Sequence, residues 1–291
     1  MDRKIRIGWR LVTLALLLVS VVIEIGAQES VQFAVDEEKT VTIQMDPYME
    51  LCRGTYEDHP SRTSQLFCWY DVRNAHSTLS PSKVEVVSND PFVALFHGAV
   101  HDGEIAQLQA LGDSHIKRSG PTNDSWLPVF YDNHQTYTVH EHDHPVVERL
   151  TRRIERMTGL SCDTAEDLKV IYNEVGAFKT SELDAIQTKE EYHRFAYAGN
   201  RMATVLFFFN DIAKGGYTIF PKLRISIRPQ KGAAAFWYNL LDTGEANMNM
   251  KYSICPLQGD AKWTAKKVIH TRGNELRKPC HPSSAPKPKE A

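Results

Sequence analysis

The 291 residues are 42% hydrophobic and 24% charged, with a formal net charge of −2, which leaves room for one good-sized domain with appendages or for two small ones. The balanced charge excludes a broad nucleic-acid surface, and the hydrophobic content excludes disorder over the bulk of the chain. Composition alone says globular.

The N-terminus is more specific. Arg3, Lys4, Arg6 and Arg10 precede an uncharged apolar run from Leu11 to Ile23, and Ile25-Gly26-Ala27 follows with small residues. A basic region, a short apolar run and a small-residue exit predict a secretory signal peptide over 1–27. An uncleaved signal anchor is the rival, but the run is shorter than the roughly 20 residues that a bilayer needs. No other stretch is long or apolar enough to span a membrane, so the expected location is the endoplasmic reticulum lumen or outside the cell. In that setting the five cysteines are candidates for disulfides. Pairing Cys52–Cys68 and Cys255–Cys280 closes two local loops, each worth on the order of 3 kcal/mol by chain entropy, and leaves Cys162 alone. Sequence does not fix the connectivity. Asn123-Asp124-Ser125 is a sequon for N-glycosylation.

Residues 28–86 read as a polar lead-in followed by a turn-rich, disulfide-stapled loop region. Phe92 to Phe96 reads as a strand. After it, Asp102 can cap a helix with Ile105, Leu108 and Leu111 on one face. A second helix starts at Pro145, carries Val146, Leu150, Ile154 and Met157 at three- and four-residue spacing, and stops at Gly159. Arg149, Arg152, Arg153 and Arg156 are its expected solvated face. Asp167–Val175, Met202–Phe209, Ile219–Ile227 and Ala233–Tyr238 read as strands broken by Gly215-Gly216, Pro229 and Gly232. Short strands after a helical half predict an α+β fold: an antiparallel double-sheet roll with supporting N-terminal helices. Residues 281–291, rich in proline and lysine, read as a disordered tail.

Four blocks then carry a resemblance: Asp163-Thr-Ala-Glu-Asp-Leu168, Gly199-Asn-Arg-Met-Ala-Thr-Val-Leu-Phe207, Gly215-Gly-Tyr-Thr-Ile-Phe-Pro221 and Lys231-Gly-Ala-Ala-Ala-Phe-Trp-Tyr-Asn-Leu240. With Cys255-Pro256, Lys262-Trp263 and Arg277-Lys-Pro-Cys280, they resemble the catalytic domain of the prolyl 4-hydroxylase α-subunit family over roughly residues 48–280. The resemblance implies a double-stranded β-helix (jelly roll) over 87–280, in a short form without the family's N-terminal dimerisation and peptide-binding domains. It also implies a dioxygenase that hydroxylates proline in collagen-like peptides with iron(II), 2-oxoglutarate and ascorbate, and that partners protein disulfide isomerase as β subunit. Such sites hold iron with a His-x-Asp pair and a distant histidine, and a lysine pairs with the far carboxylate of 2-oxoglutarate.

Counted without a gap from Thr164-Ala-Glu-Asp-Leu168, the His-x-Asp positions fall on Glu182-Leu183-Asp184, and the distant histidine falls on Tyr252. A one-residue slip would put Ser181 and Leu183 there instead, and either register lacks the first histidine. Lys262, Thr204 and His270 are the expected 2-oxoglutarate positions, and Asn173 stands where the family has a tyrosine. Glu-Asp-Tyr is an all-oxygen set that suits harder ions than iron(II), and a tyrosine ligates well only as phenolate, far below its free pKa of about 10. The expectation is a catalytically impaired family member. An active hydroxylase with a non-standard metal site and a non-catalytic peptide-binding or assembly partner are the alternatives. His193, in a charged stretch, reads as solvated. His134, His140, His142 and His144 form either a metal cluster or a polar loop leading into the Pro145 helix, with Asp143 or His144 as its cap.

Overall fold

Alternating burial along one strand sets the layers of this protein. In the computed structural model, which describes residues 30–36, 39–44, 47–72, 78–79, 81–116 and 134–281, strand Arg201–Phe208 sends Ala203, Val205 and Phe207 to one face and Thr204, Leu206 and Phe208 to the other. A strand buried on both faces needs cover on both. Helices supply it on one side and a second sheet on the other.

The chain divides into two units, residues 1–50 and 51–291. In the first, where a polar lead-in was expected, β1 (Ser30–Asp36) and β2 (Lys39–Gln44) form an antiparallel hairpin. The expected signal segment, the Asn123 sequon and the tail beyond 281 lie outside the described residues.

The second unit holds the remaining strands: β3 (Cys68–Asp71), β4 (Ser82–Ser88), β5 (Val93–His97), β6 (His134–Val139), β7 (Leu168–Asn173), β8 (Lys179–Glu182), β9 (Arg201–Phe208), β10 (Thr218–Phe220), β11 (Ile225–Ile227), β12 (Ala234–Tyr238), β13 (Tyr252–Ile254) and β14 (Lys262–His270). They form an eight-stranded sheet in the order β3-β4-β5-β12-β9-β14-β7-β6 and a four-stranded sheet in the order β11-β10-β13-β8. Every paired strand is antiparallel, and together the two sheets make the expected jelly roll. The stapled-loop reading of 51–86 is corrected in part: β3 and β4 extend the large sheet there.

Helix α1 (Pro47–Arg53) and the short α2 (Pro60–Thr63) precede the roll, and α5 (Lys189–Arg194) follows β8. Helices α3 (Asp102–Asp113) and α4 (Pro145–Thr158) cover the outer face of the large sheet, where Leu108, Leu150 and Ile154 pack against Val205 and Phe207. His101, not Asp102, is the N-cap of α3, and its backbone N–H donates to Glu104 Oε2 at 3.0 Å. Gly159 closes α4 at φ 74°, as its position predicts. Arg153 departs from the expected solvated face. It donates to both carboxylate oxygens of Glu104, at 2.6 and 3.0 Å, and ties α4 to α3.

The disulfide expectation is overturned. Cys52 bonds Cys255 across a sequence separation of 203, while Cys68 and Cys280 are free and exposed. Leu51 is fully buried, and Ser226 Oγ donates to its carbonyl at 2.8 Å. That seating leaves the Cys52 and Cys255 Cα atoms 5.4 Å apart, within bridging range, whereas Cys68 sits on the edge strand β3. Cys162 is buried and unpaired, and burial pushes its thiol up to about 12, so it is inert.

Candidate functional site

Between the two sheets the core is apolar, built around Leu206, Phe208, Phe220, Trp237 and Met250. A cluster of polar side chains is set into it. Glu182 ends β8, Asp184 follows two residues on, and Tyr252 opens β13, whose register places it directly opposite Glu182. The expected trio therefore meets. Tyr252 Oη donates to Glu182 Oε2 at 3.0 Å and lies 3.4 Å from Asp184 Oδ1.

Thr204 reaches the trio from β9. Its hydroxyl donates to Asp184 Oδ2 at 2.7 Å and accepts from Asn239 Nδ2 at 2.9 Å. The hydroxyl expected to face a 2-oxoacid thus has its proton committed to orienting Asp184.

The sequence reading missed Lys266. β14 alternates, so Lys262, Thr264 and Lys266 share the interior face while Trp263 and Ala265 pack under the helices. Lys266 Nζ contacts Asp184 Oδ1 directly, donates to Tyr252 Oη at 2.9 Å and lies 3.7 Å from Glu182 Oε1. Lys179 adds a second ammonium, 2.5 Å from Glu182 Oε2. Two carboxylates face two ammonium groups, and the cluster balances its own charge.

The protonation states follow from these contacts. Burial, reinforced by Asp184 and Glu182, pushes the Tyr252 phenol well above its ordinary value, so it is neutral and no phenolate ligand. Burial opposes the charge on Lys266, but Asp184 and Glu182 outweigh it and hold the ammonium above its usual range. Burial likewise opposes the Glu182 carboxylate, and Lys266 and Lys179 outweigh that to hold it low.

These residues do not fit iron(II). The trio offers two carboxylates already paired with ammonium groups and a protonated phenol, with no imidazole among them. Among the described residues, no three His, Cys, Asp or Glu side chains form a group that could hold a metal ion. His193 is exposed on α5. His140 and His142 pair separately with Asp167 at 2.7 Å and Glu148 at 3.4 Å, and His144 caps α4.

A second buried polar group stands on β14, four residues before Lys266. Lys262 is fully buried, its Nζ donating to the Gly216 carbonyl at 2.7 Å and lying 5.6 Å from the centre of the Phe208 ring. Burial lowers its pKa to about 7. Gly216 has φ +67°, a left-handed conformation that favours glycine, and this turn presents its carbonyl to the lysine. Asn173 is directly opposite Lys262 in the β7–β14 register. Its Oδ1 is buried without a partner, as are Thr218 Oγ1 and Trp237 Nε1 in the same interior. Buried polar atoms left unpaired mark a place where a polar ligand or water belongs.

His270 is not brought to this cradle. It lies eight residues along β14 from Lys262, about 26 Å of extended strand. Its Nδ1 meets the Gly199 carbonyl at 2.8 Å and its Nε2 lies 3.4 Å from Glu166.

No family model matches the chain. The α-1 subunits of prolyl 4-hydroxylase from Mus musculus and Homo sapiens are 35% and 36% identical to it over 240 and 241 residues, with 80% of this chain and 45% of each relative covered. The chain therefore spans about half the length of the curated relatives it matches. A viral collagen prolyl hydroxylase from Paramecium Bursaria Chlorella virus-1, solved with 2OG, superposes at a TM-score of 0.49 and 16% identity over 61% of this chain and 94% of that one.

Proposed function

Because the chain belongs to the prolyl 4-hydroxylase α-subunit family, we propose that it is a secretory-pathway member that does not hydroxylate and instead binds a 2-oxoglutarate-type dicarboxylate without metal. One observation supports this reading: Glu182 and Asp184, at positions that the resemblance assigns to metal ligands, both face the neutral Tyr252 hydroxyl, itself at the third such position. The proposed cradle is Lys262, whose ammonium would pair with a carboxylate, with the buried Thr218 hydroxyl as a hydrogen-bond donor. No step of oxidation is assigned to these residues. Proline-rich or collagen-like peptides and protein disulfide isomerase are the partners this family membership suggests, in the lumen of the endoplasmic reticulum or beyond it.

The test is direct. Purified protein supplied with iron(II), ascorbate, 2-oxoglutarate and a proline-rich peptide should give no peptide-dependent succinate. Succinate above background, abolished in Asp184→Ala, would return the chain to the active hydroxylases.

The cradle makes its own prediction. Without a partner anion Lys262 is neutral above about pH 7, and a bound carboxylate favours the ammonium form, so binding takes up a proton. Affinity for 2-oxoglutarate should be greatest below about pH 7 and fall by up to about tenfold per unit above it. Titration calorimetry in buffers of different ionisation enthalpy reads the proton uptake. Lys262→Met should abolish binding, and an affinity independent of pH would rule out this lysine as the anchor.

A further inference from the structure

From the placement of Lys266 we infer that its ammonium has taken the cation's seat between Glu182, Asp184 and Tyr252, so that removing it uncovers a site for a hard divalent cation. The inference rests on the reading of these three residues as the family's metal positions, and goes beyond it to a replacement mechanism.

The geometry supports a substitution of one cation by another. Lys266 Nζ touches Asp184 Oδ1, donates to Tyr252 Oη at 2.9 Å and faces Glu182 Oε1 at 3.7 Å. It thus addresses all three positions from a third strand, β14, and its side chain is only 12% exposed. An ammonium bonded to Asp184 and facing Glu182 supplies positive charge where a bound cation would, without leaving the chain. Thr204 and Asn239 hold Asp184 from behind, so the carboxylate is aimed independently of the lysine. With Lys266 in place, an incoming cation must displace a covalently tethered charge and meets like-charge repulsion. With it gone, Glu182, Asp184 and the Tyr252 hydroxyl present an oxygen set of the kind that manganese, calcium or magnesium accept. Lys179 faces Glu182 from outside the trio and would weaken that site without filling it.

The experiment compares the wild-type chain with Lys266→Met, which removes the ammonium that occupies the seat and keeps the apolar stem. Thermal unfolding is followed with and without manganese(II) chloride, and with calcium as a second probe. The wild-type midpoint should not move, whereas that of Lys266→Met should rise by about 3–5 °C at millimolar metal. Asp184→Asn added to Lys266→Met should cancel the rise. A folded Lys266→Met indifferent to both ions would overturn the replacement while leaving the absence of hydroxylation standing. A metal-dependent rise in the wild type, lost in Asp184→Asn, would overturn both. Lys266→Gln, one atom shorter and ending in a neutral amide, gives the same reading should Lys266→Met fail to fold.

Discussion

Asp184→Asn is expected to destabilise the fold by about 3–5 kcal/mol, out of proportion to the exchange of one oxygen for one NH2. The Asp184 side chain is only 3% exposed and faces an ammonium that is 12% exposed, so the loss leaves Lys266 charged in an apolar interior with Glu182 as its nearest anion. Breaking one half of such a pair costs more than the pair contributes, because the survivor keeps its desolvation penalty. Lys266→Met alone should cost a similar amount, with Glu182 and Asp184 left facing each other. The double variant Asp184→Asn, Lys266→Met should therefore be less destabilised than the sum of the two singles, by at least about 2 kcal/mol. Urea unfolding at neutral pH measures all four corners of this cycle. Simple additivity would mean that the two side chains do not share one electrostatic unit. The pH dependence follows from the same contacts. Glu182 is held below its ordinary value of 4.5, so its contribution is present above about that pH and is lost as acid protonates it. Lys266 is held above 10.5, so its contribution persists through neutral and mildly alkaline pH and is lost only beyond that value.

The residues at this site show what a sequence does and does not disclose. Glu182, Asp184 and Tyr252 were legible because the surrounding blocks fixed their positions by counting, and β8 and β13 do bring them together. Lys266 was passed over because Lys266-Lys267 reads as a charged pair on a strand, where one lysine would ordinarily be solvated. The parity of β14 held the signal: four residues from Lys262 returns a side chain to the same face. Both lysines are in fact shielded, Lys267 on the helix side with Glu141 at 3.0 Å. Thr204 was placed correctly on its strand, but its hydrogen-bond direction depends on Asp184 and Asn239 arriving from distant segments. The helices and the central strands were readable from periodicity because each carries a full apolar stripe or an unbroken apolar run. β3 and β4 were not: β3 is an edge strand with exposed positions, and β4 has only Val84 and Val86 as buried apolar residues among polar neighbours. Arg153 was misjudged for the opposite reason: its partner Glu104 lies on another helix, which helical spacing cannot reveal.

Connectivity of the cysteines is the sharpest case, and it sets the second large effect. Serine at Cys52 or Cys255 should lower stability by about 3–5 kcal/mol, because the bond closes a loop whose sequence separation is 203, and long loops lose the most chain entropy when tied. Serine at Cys68 or Cys280 should change it by less than about 0.5 kcal/mol, since both are exposed and unpaired. The local pairing inferred from sequence minimised loop length, but what decides a disulfide is which Cα atoms the fold brings together. Here α1 is seated by the buried Leu51 and by the Ser226 hydroxyl on its carbonyl, and that seating delivers Cys52 to the end of β13. Cys255 directly follows Ile254, the last residue of the strand that Tyr252 opens, so the bond also anchors the segment carrying the phenol. Non-reducing peptide mapping, followed by urea unfolding of the four serine variants, separates the two pairings. A Cys52–Cys68 peptide, or equal losses at all four positions, would refute the long-range bridge.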